Sequence, residues 1–226
     1  MGDFATVKKT VKKTVEKVDS KADLNPVTDL RERTINWLRE NVSEHRVQHI
    51  LGVEATAVEL AHIHGLDVEK AALAGLMHDL AKYFKPQRLL EMAKAEGLEL
   101  DPVDLVNPHL LHADVGAIVA RDDFQVQDPE VLAAIADHTL GRPAMSALSC
   151  VVFLADSLEP GRGDDQILQD LRQQSHQNLI TAVWHTCDYG LQHLITAHKQ
   201  IHPRTIRTRN WAMSESLKAA SAKASN

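Results

Sequence analysis

The chain has 226 residues, 44 % hydrophobic and 25 % charged, a globular composition long enough for a full core and unlike a disulfide-stapled mini-protein. Lys plus Arg number 25 against 31 for Asp plus Glu, giving a net charge of −6. That balance argues against general nucleic-acid binding through a basic field and leaves room only for a local basic pocket.

Residues 1–24 stand apart. TVKK at Thr6, TVKK at Thr10 and TVEK at Thr14 form a four-residue repeat that places Val7, Val11, Val15 and Val18 on one side of a helix. The stripe is thin and β-branched residues favour helix weakly, so the expectation is a frayed or disordered arm, with a weak amphipathic helix as the alternative. Asn25-Pro26 precedes a helix holding Ile35, Trp37 and Leu38. Ser43 caps a second that runs to about His64 and stops at Gly65. Asp67 caps a third, which carries AALAGLMHDLAKYF, and Pro86 opens a fourth that Gly97 ends. Asp101-Pro102, Asn107-Pro108 and Asp128-Pro129 are three cap-then-proline starts. Ser146 starts SALSCVVFLADSLE, closed by Pro160 and Gly161, and the pattern from Asp165 to about Lys199 is helical with a break near Ser175. From about Ala212 to Asn226 the Ala, Ser and Lys content reads as a loose tail. No stretch alternates between hairpin turns. The prediction is an all-α single domain over residues 25–211, a helical bundle with flexible N- and C-terminal tails.

Cys150 and Cys187 lie in apolar, helix-like surroundings and read as buried small hydrophobes. No apolar run reaches the ~18 residues of a membrane span. The opening MGDFATVKKT lacks the apolar core of a secretory signal. A cytoplasmic protein with no membrane partner is expected.

The informative feature is where ionisable groups fall. His78 and Asp79 sit in the middle of a predicted helix buried on most sides, where an unpaired carboxylate costs several kcal/mol. Adjacent helical residues point ~100° apart, yet both can splay around one ion in a groove between helices. A His–Asp hydrogen bond to local backbone explains the pair equally well. Asp156 follows five apolar residues in CVVFLADSLE, and His49 is embedded among Ile50, Leu51 and Val53. Alone, each has a bland explanation, a helix-end polar residue and a satisfied core histidine. Together, two imidazoles and two carboxylates on three predicted helices form a mixed N/O set suited to Fe, Mn, Co or Zn held between packed helices. His112, in NPHLLHADVGAIVA, and His138, in AAIADHTLGRP, join them. The remaining His45, His62, His64, His109, His176, His185, His193 and His198 fall at exposed or unpatterned positions and are expected to be structural or solvated.

The order His49, His78-Asp79, Asp156 resembles the H…HD…D signature of HD-domain metal-dependent phosphohydrolases. HRVQHILGVEATAVELA, GLMHDLAKYF, HADVGA, DHTLGRP, FLADSLEPGR and IHPRTIRTRNW occur in that order over residues 30–211. They narrow the resemblance to the symmetrical bis(5′-nucleosyl)-tetraphosphatases of bacteria. The resemblance implies metal ligation by His49, His78, Asp79 and Asp156, with iron the favoured ion and Mn, Co, Ni, Zn or Mg as alternatives. It implies contact with a nucleoside diphosphate by Arg46, His112, His138, Thr139, Asp156 and Arg162. Lys82 matches a lysine near the phosphates, with Tyr83, Phe84 and Lys85 lining the same wall. Ile201, His202 and Arg204 match the segment that closes over base and ribose.

The implied substrate is diadenosine tetraphosphate, cut in the middle to two ADP. Metal, Arg46, Lys82 and Arg162 supply the local positive field that the acidic chain otherwise lacks. Asp79 orients the attacking water while ligating. His112 and His138 hold phosphates, complete a second metal site or protonate the leaving diphosphate; the sequence leaves the three roles open. A monomer or homodimer is expected, with no specific nucleic-acid partner. Rival readings are an HD-type nucleotidase on nucleoside mono- or triphosphates and a non-catalytic nucleotide sensor or partner-binding module. Nucleotidyl transfer ranks lower, because no Gly-rich phosphate loop on an α/β sheet occurs.

Overall fold

The computed structural model describes residues 26–224, so the expectation for the arm at 1–24 lies outside the described residues. Among them every regular element is helical. Helices α1 (Pro26–Asn41), α2 (Glu44–Ile63) and α3 (Val68–Met77) are followed by α4 (Pro86–Ala95), α5 (Pro102–Val106) and α6 (His112–Asp122). Then come α7 (Pro129–Asp137), α8 (Ala147–Leu158), α9 (Gln166–Gln177), α10 (Leu179–Thr196) and α11 (Pro203–Ala224). Short 3₁₀ turns occupy Pro108–Leu111 and Pro160–Arg162.

The starts follow their side-chain caps. Ser43 accepts from the Arg46 N–H, Asp67 from Glu69 and Lys70, and Asp128 from Glu130 and Val131. Asp101 and Asp104 form a reciprocal capping box. Three expectations need correction. Asn107 makes no side-chain cap, and the turn after it is 3₁₀. The break between α9 and α10 falls at Asn178, whose side chain accepts from Thr181 N–H. Ser175 lies inside α9, and its carbonyl accepts from His64 Nε2 at 2.7 Å. Lastly, residues 212–224 are helical rather than structureless. Ala212 is buried, and Thr181 and Ser216 share a 2.7 Å hydrogen bond that docks α11 on α10.

Helix α8 is central, packed against α2, α3, α7 and α10. Its run from Leu148 to Ala155 is buried throughout, including Cys150, and a fully buried leucine such as Leu154 contributes about 1.5–3 kcal/mol. Cys187 on α10 is buried as well, and burial pushes both thiols up to about 12. The core therefore brings the C-terminal end of α8, the N-terminal part of α2 and the end of α3 together, and these carry Asp156, His49 and the His78-Asp79 pair. Among the described residues no helix is long and apolar enough to cross a membrane.

Candidate active site

Helix α3 ends at Met77, and the backbone then tightens. The N–H groups of Leu80, Lys82 and Phe84 bond the carbonyls of Met77, Asp79 and Ala81, three residues back. His78 and Asp79 thus occupy a tight turn and not a helix interior, which corrects the sequence expectation. His78 Nδ1–H donates to Gly75 O at 2.7 Å, drawing the ring over the helix end. Helix α6 comes close here because residue 116 is glycine; a Cβ there would lie 3.2 Å from the His78 carbonyl oxygen.

With Nδ1 committed, the His78 lone pair is on Nε2, and that atom is buried with no hydrogen-bond partner. Asp79 Oδ2 lies 3.6 Å from it and Asp156 Oδ1 3.7 Å. His49 Nε2 is 3.1 Å from the same Asp156 oxygen. The other His49 nitrogen donates to Glu159 Oε1 at 3.0 Å, so its Nε2 also presents a lone pair. Two imidazole lone pairs and two carboxylate oxygens converge here as a mixed N/O donor set that could hold a metal ion: donor atoms of His49, His78 and Asp79 lie within 4.8 Å of one another, and Asp156 Oδ1 joins them at His49 and His78. The four predicted ligands come together and fit a transition metal.

Burial pushes His78 down to about 4, against the pull of Asp79. Burial opposes ionisation of Asp79, yet the field of His78 and hydrogen bonds from His112 and His138 hold it well below the usual carboxylate range. Asp156 is held down in the same way, burial being overridden by His49, His78, His138 and Arg162. At neutral pH His78 is therefore neutral and Asp79 and Asp156 are ionised, the forms able to bind a metal.

A second constellation adjoins the first. His112 Nδ1–H donates to His109 O at 2.5 Å and His138 Nδ1–H to Ile135 O at 2.8 Å. Their Nε2 atoms lie 3.0 Å apart, and 3.3 and 3.7 Å from Asp79 Oδ1. Lys82 Nζ donates to His112 Nε2 at 3.1 Å, and Thr139 Oγ1 is 3.1 Å from the same atom. Arg46 Nη1 donates to Asp79 Oδ2 at 3.0 Å. Arg162 bonds the Asp156 carboxylate and backbone, and its Nη2 lies 3.4 Å from His49 Nε2. Arg46, Lys82 and Arg162 are thus all at the centre, as expected.

Tyr83, Phe84 and Lys85 are not. The tight turn carries the Tyr83 ring to Trp37, 5.4 Å away, and Phe84 packs edge-on to Tyr83 at 4.8 Å. Phe84 is buried under the Arg88 guanidinium, 3.5 Å from the ring centroid. Lys85 is exposed at the N-cap of α4.

Two cavities are lined by predicted site residues. One, of about 320 Å³, is lined by His45, Arg46, Gln48, His49, Glu159 and Arg162. The other, of about 310 Å³, is lined by Leu111 and Asp114, which flank His112 in the chain, and by none of the residues of the centre itself. His202 and Arg204 line it, facing Leu98, Leu100 and Asp104. Arg204 grips Asp114 with both terminal nitrogens, at 3.2 and 3.0 Å. His202 Nδ1 accepts from Arg204 N–H, while its Nε2 stands 3.4 Å from Asp104 Oδ1 without a well-formed hydrogen bond. Ile201 is half-buried and lines neither cavity. Sequence reasoning missed Glu159, Asp104 and Asp114. Each sits inside or beside a quoted motif, but only its partner across the fold marks it.

Residues 46–161 match the HD domain family model, a span that starts at Arg46 and encloses His49, His78, Asp79 and Asp156. A Bacillus subtilis relative named "Bis(5'-nucleosyl)-tetraphosphatase, symmetrical" is 37 % identical over 191 residues, 82 % of this chain and 99 % of the relative. A Halalkalibacterium halodurans protein of the same name is 34 % identical over 185 residues, 82 % of this chain and 98 % of its own length. A Clostridium acetobutylicum crystal structure, described as a predicted HD superfamily hydrolase involved in NAD metabolism, superposes with a TM-score of 0.78 at 38 % identity, covering 81 % of this chain and 97 % of that one. The buried His/Asp centre and these likenesses agree: the chain belongs to the HD-domain family, in the group of the symmetrical bis(5′-nucleosyl)-tetraphosphatases.

Proposed function

We propose that the protein hydrolyses diadenosine tetraphosphate and related dinucleoside polyphosphates at the central phosphoanhydride, releasing two ADP. The observation that carries this reading is the convergence of His49, His78, Asp79 and Asp156, with one cavity opening at His49 and a second lined by His202 and Arg204. That arrangement suits a substrate with a reactive middle and two bulky ends.

His49, His78, Asp79 and Asp156 would hold the metal ion, with iron the favoured identity and Mn, Co, Ni, Zn or Mg as alternatives. When bound, the ion supplies Lewis acidity toward a phosphoryl oxygen and toward water. The chain's own residues do the rest. Asp79 accepts a hydrogen bond from the attacking water and keeps it in line with the inner phosphorus. Arg46 and Arg162 each sit on a ligand carboxylate, and their forks turn to phosphate oxygens once those carboxylates serve a cation. Lys82 adds a positive charge beside His112. The facing Nε2 atoms of His112 and His138 hold a proton for the departing diphosphate. The Leu98, Leu100 and His202 cavity takes the base and ribose of one half, and the His45 and Gln48 cavity leads to the other.

Product analysis decides the matter. Protein loaded with Mn²⁺ or Fe²⁺ is incubated with diadenosine tetraphosphate and the nucleotides are separated by ion exchange. ADP is expected as the sole product. ATP plus AMP contradicts symmetrical cleavage, and phosphate release from nucleoside monophosphates in its place makes the protein a nucleotidase. Metal binding with no turnover on either makes it a sensor.

A further inference from the structure

We propose that Glu159 is a positioning residue for the metal centre: its buried carboxylate fixes the His49 ring with Nε2 toward the cation and holds the Gly161–Arg162 turn against the same centre. The inference rests on reading His49 as a metal ligand and is independent of the substrate.

Glu159 closes α8 and is only 4 % exposed. A carboxylate so placed is costly unless both oxygens are bonded, and here both are. Oε1 accepts from His49 Nδ1–H at 3.0 Å, and Oε2 accepts from Gly161 N–H at 2.6 Å. A neutral imidazole has one N–H, and a carboxylate at Nδ1 keeps it there. The lone pair is then on Nε2, where Arg162 Nη2 approaches as a donor at 3.4 Å.

The room for this carboxylate is made by two glycines. A Cβ on Gly52, one turn after His49 on α2, would fall 2.8 Å from Glu159 Oε2. A Cβ on Gly161 would fall 2.8 Å from Oε1 and 2.9 Å from Oε2. Glu159 therefore links the ligand on α2 to the turn that carries Arg162. The other three ligand-region histidines use main-chain carbonyls at Nδ1, so His49 alone in the centre depends on a side chain for its orientation.

The test is a double-mutant cycle read as Mn²⁺ affinity, by electron paramagnetic resonance with chelator competition. Glu159→Gln preserves shape but has one acceptor oxygen for two N–H donors. Gly52→Ala displaces the same carboxylate from a different helix without changing charge. Each is expected to weaken Mn²⁺ binding about 10–100-fold. In a His49→Ala background, which lacks the ring to be positioned, Glu159→Gln is expected to change affinity by no more than about twofold. Wild-type affinity in Glu159→Gln or in Gly52→Ala overturns the proposal. So does an equally large loss when His49 is absent, since that is the behaviour of a carboxylate with a purely structural role.

Discussion

His112 Nε2 lies 3.0 Å from His138 Nε2, with each Nδ1–H held by the carbonyl three residues back in the chain. His78 uses the same device on Gly75. In all three cases the histidine caps a helical segment, where carbonyls lack intrahelical donors. One local hydrogen bond thus points Nε2 into the site. Neutral rings so arranged oppose lone pairs, a contact that is stable when one Nε2 carries a proton or when a cation binds both.

His138→Ala is therefore expected to lower kcat by ~10²–10⁴ while the four-ligand centre keeps its metal. Metal stoichiometry measured beside kcat separates the two chemistries. Constant stoichiometry assigns proton delivery to the pair, and a fall from two equivalents to one assigns it a second cation. An unchanged kcat removes His138 from the reaction.

Arg204 and Asp114 form one wall of the Leu98–His202 cavity. Arg204→Ala leaves Asp114 without its partner inside that wall. The KM for diadenosine tetraphosphate is expected to rise about tenfold, with kcat close to wild type. Steady-state kinetics with ADP as a competing product checks it, because ADP inhibition should weaken in parallel. Full ADP inhibition in the variant would place the nucleoside elsewhere.

Much of this was legible in the sequence because it is local. Ser43, Asp67, Asp101 and Asp128 cap where cap chemistry says they should. His49, His78, Asp79 and Asp156 stand out because charge in apolar sequence needs a partner. What was not legible depends on contacts between distant segments. AALAGLMHDLAKYF is helix-forming to its end, and the stop at Met77 comes from the His78–Gly75 hydrogen bond and the approach of α6 at Gly116. Tyr83 and Phe84 neighbour Lys82 in sequence, but Tyr83 packs on Trp37 of α1, and Phe84 packs on Tyr83 and under Arg88. The Ala, Ser and Lys content after Ala212 suits an exposed helix as well as a loose tail, and the packing of Ala212 and Ser216 on α10 decides between them.

Metal-free protein should lose stability in weak acid. Folding holds His78 at about 4 against an ordinary 6.5, so between those values the unfolded chain takes up a proton that the folded chain refuses. Stability is then complete above pH 6.5 and falls as pH drops toward 4, by on the order of 3 kcal/mol for this group. Burial lowers His112 in the same sense. Asp79, held far below its ordinary value, adds its own loss only under more acid conditions. The melting temperature of the metal-free protein at pH 7.5 and pH 5 reads this directly, and a flat or rising trend toward pH 5 contradicts the buried neutral His78.

One buried His/Asp centre is expected both to hold the metal and to cleave the phosphoanhydride. Metal content and ADP formation from diadenosine tetraphosphate, measured on the same preparations of wild type and Asp79→Ala, test it most directly. Both should disappear together in the variant. Sustained ADP formation by Asp79→Ala with no bound metal would contradict the account.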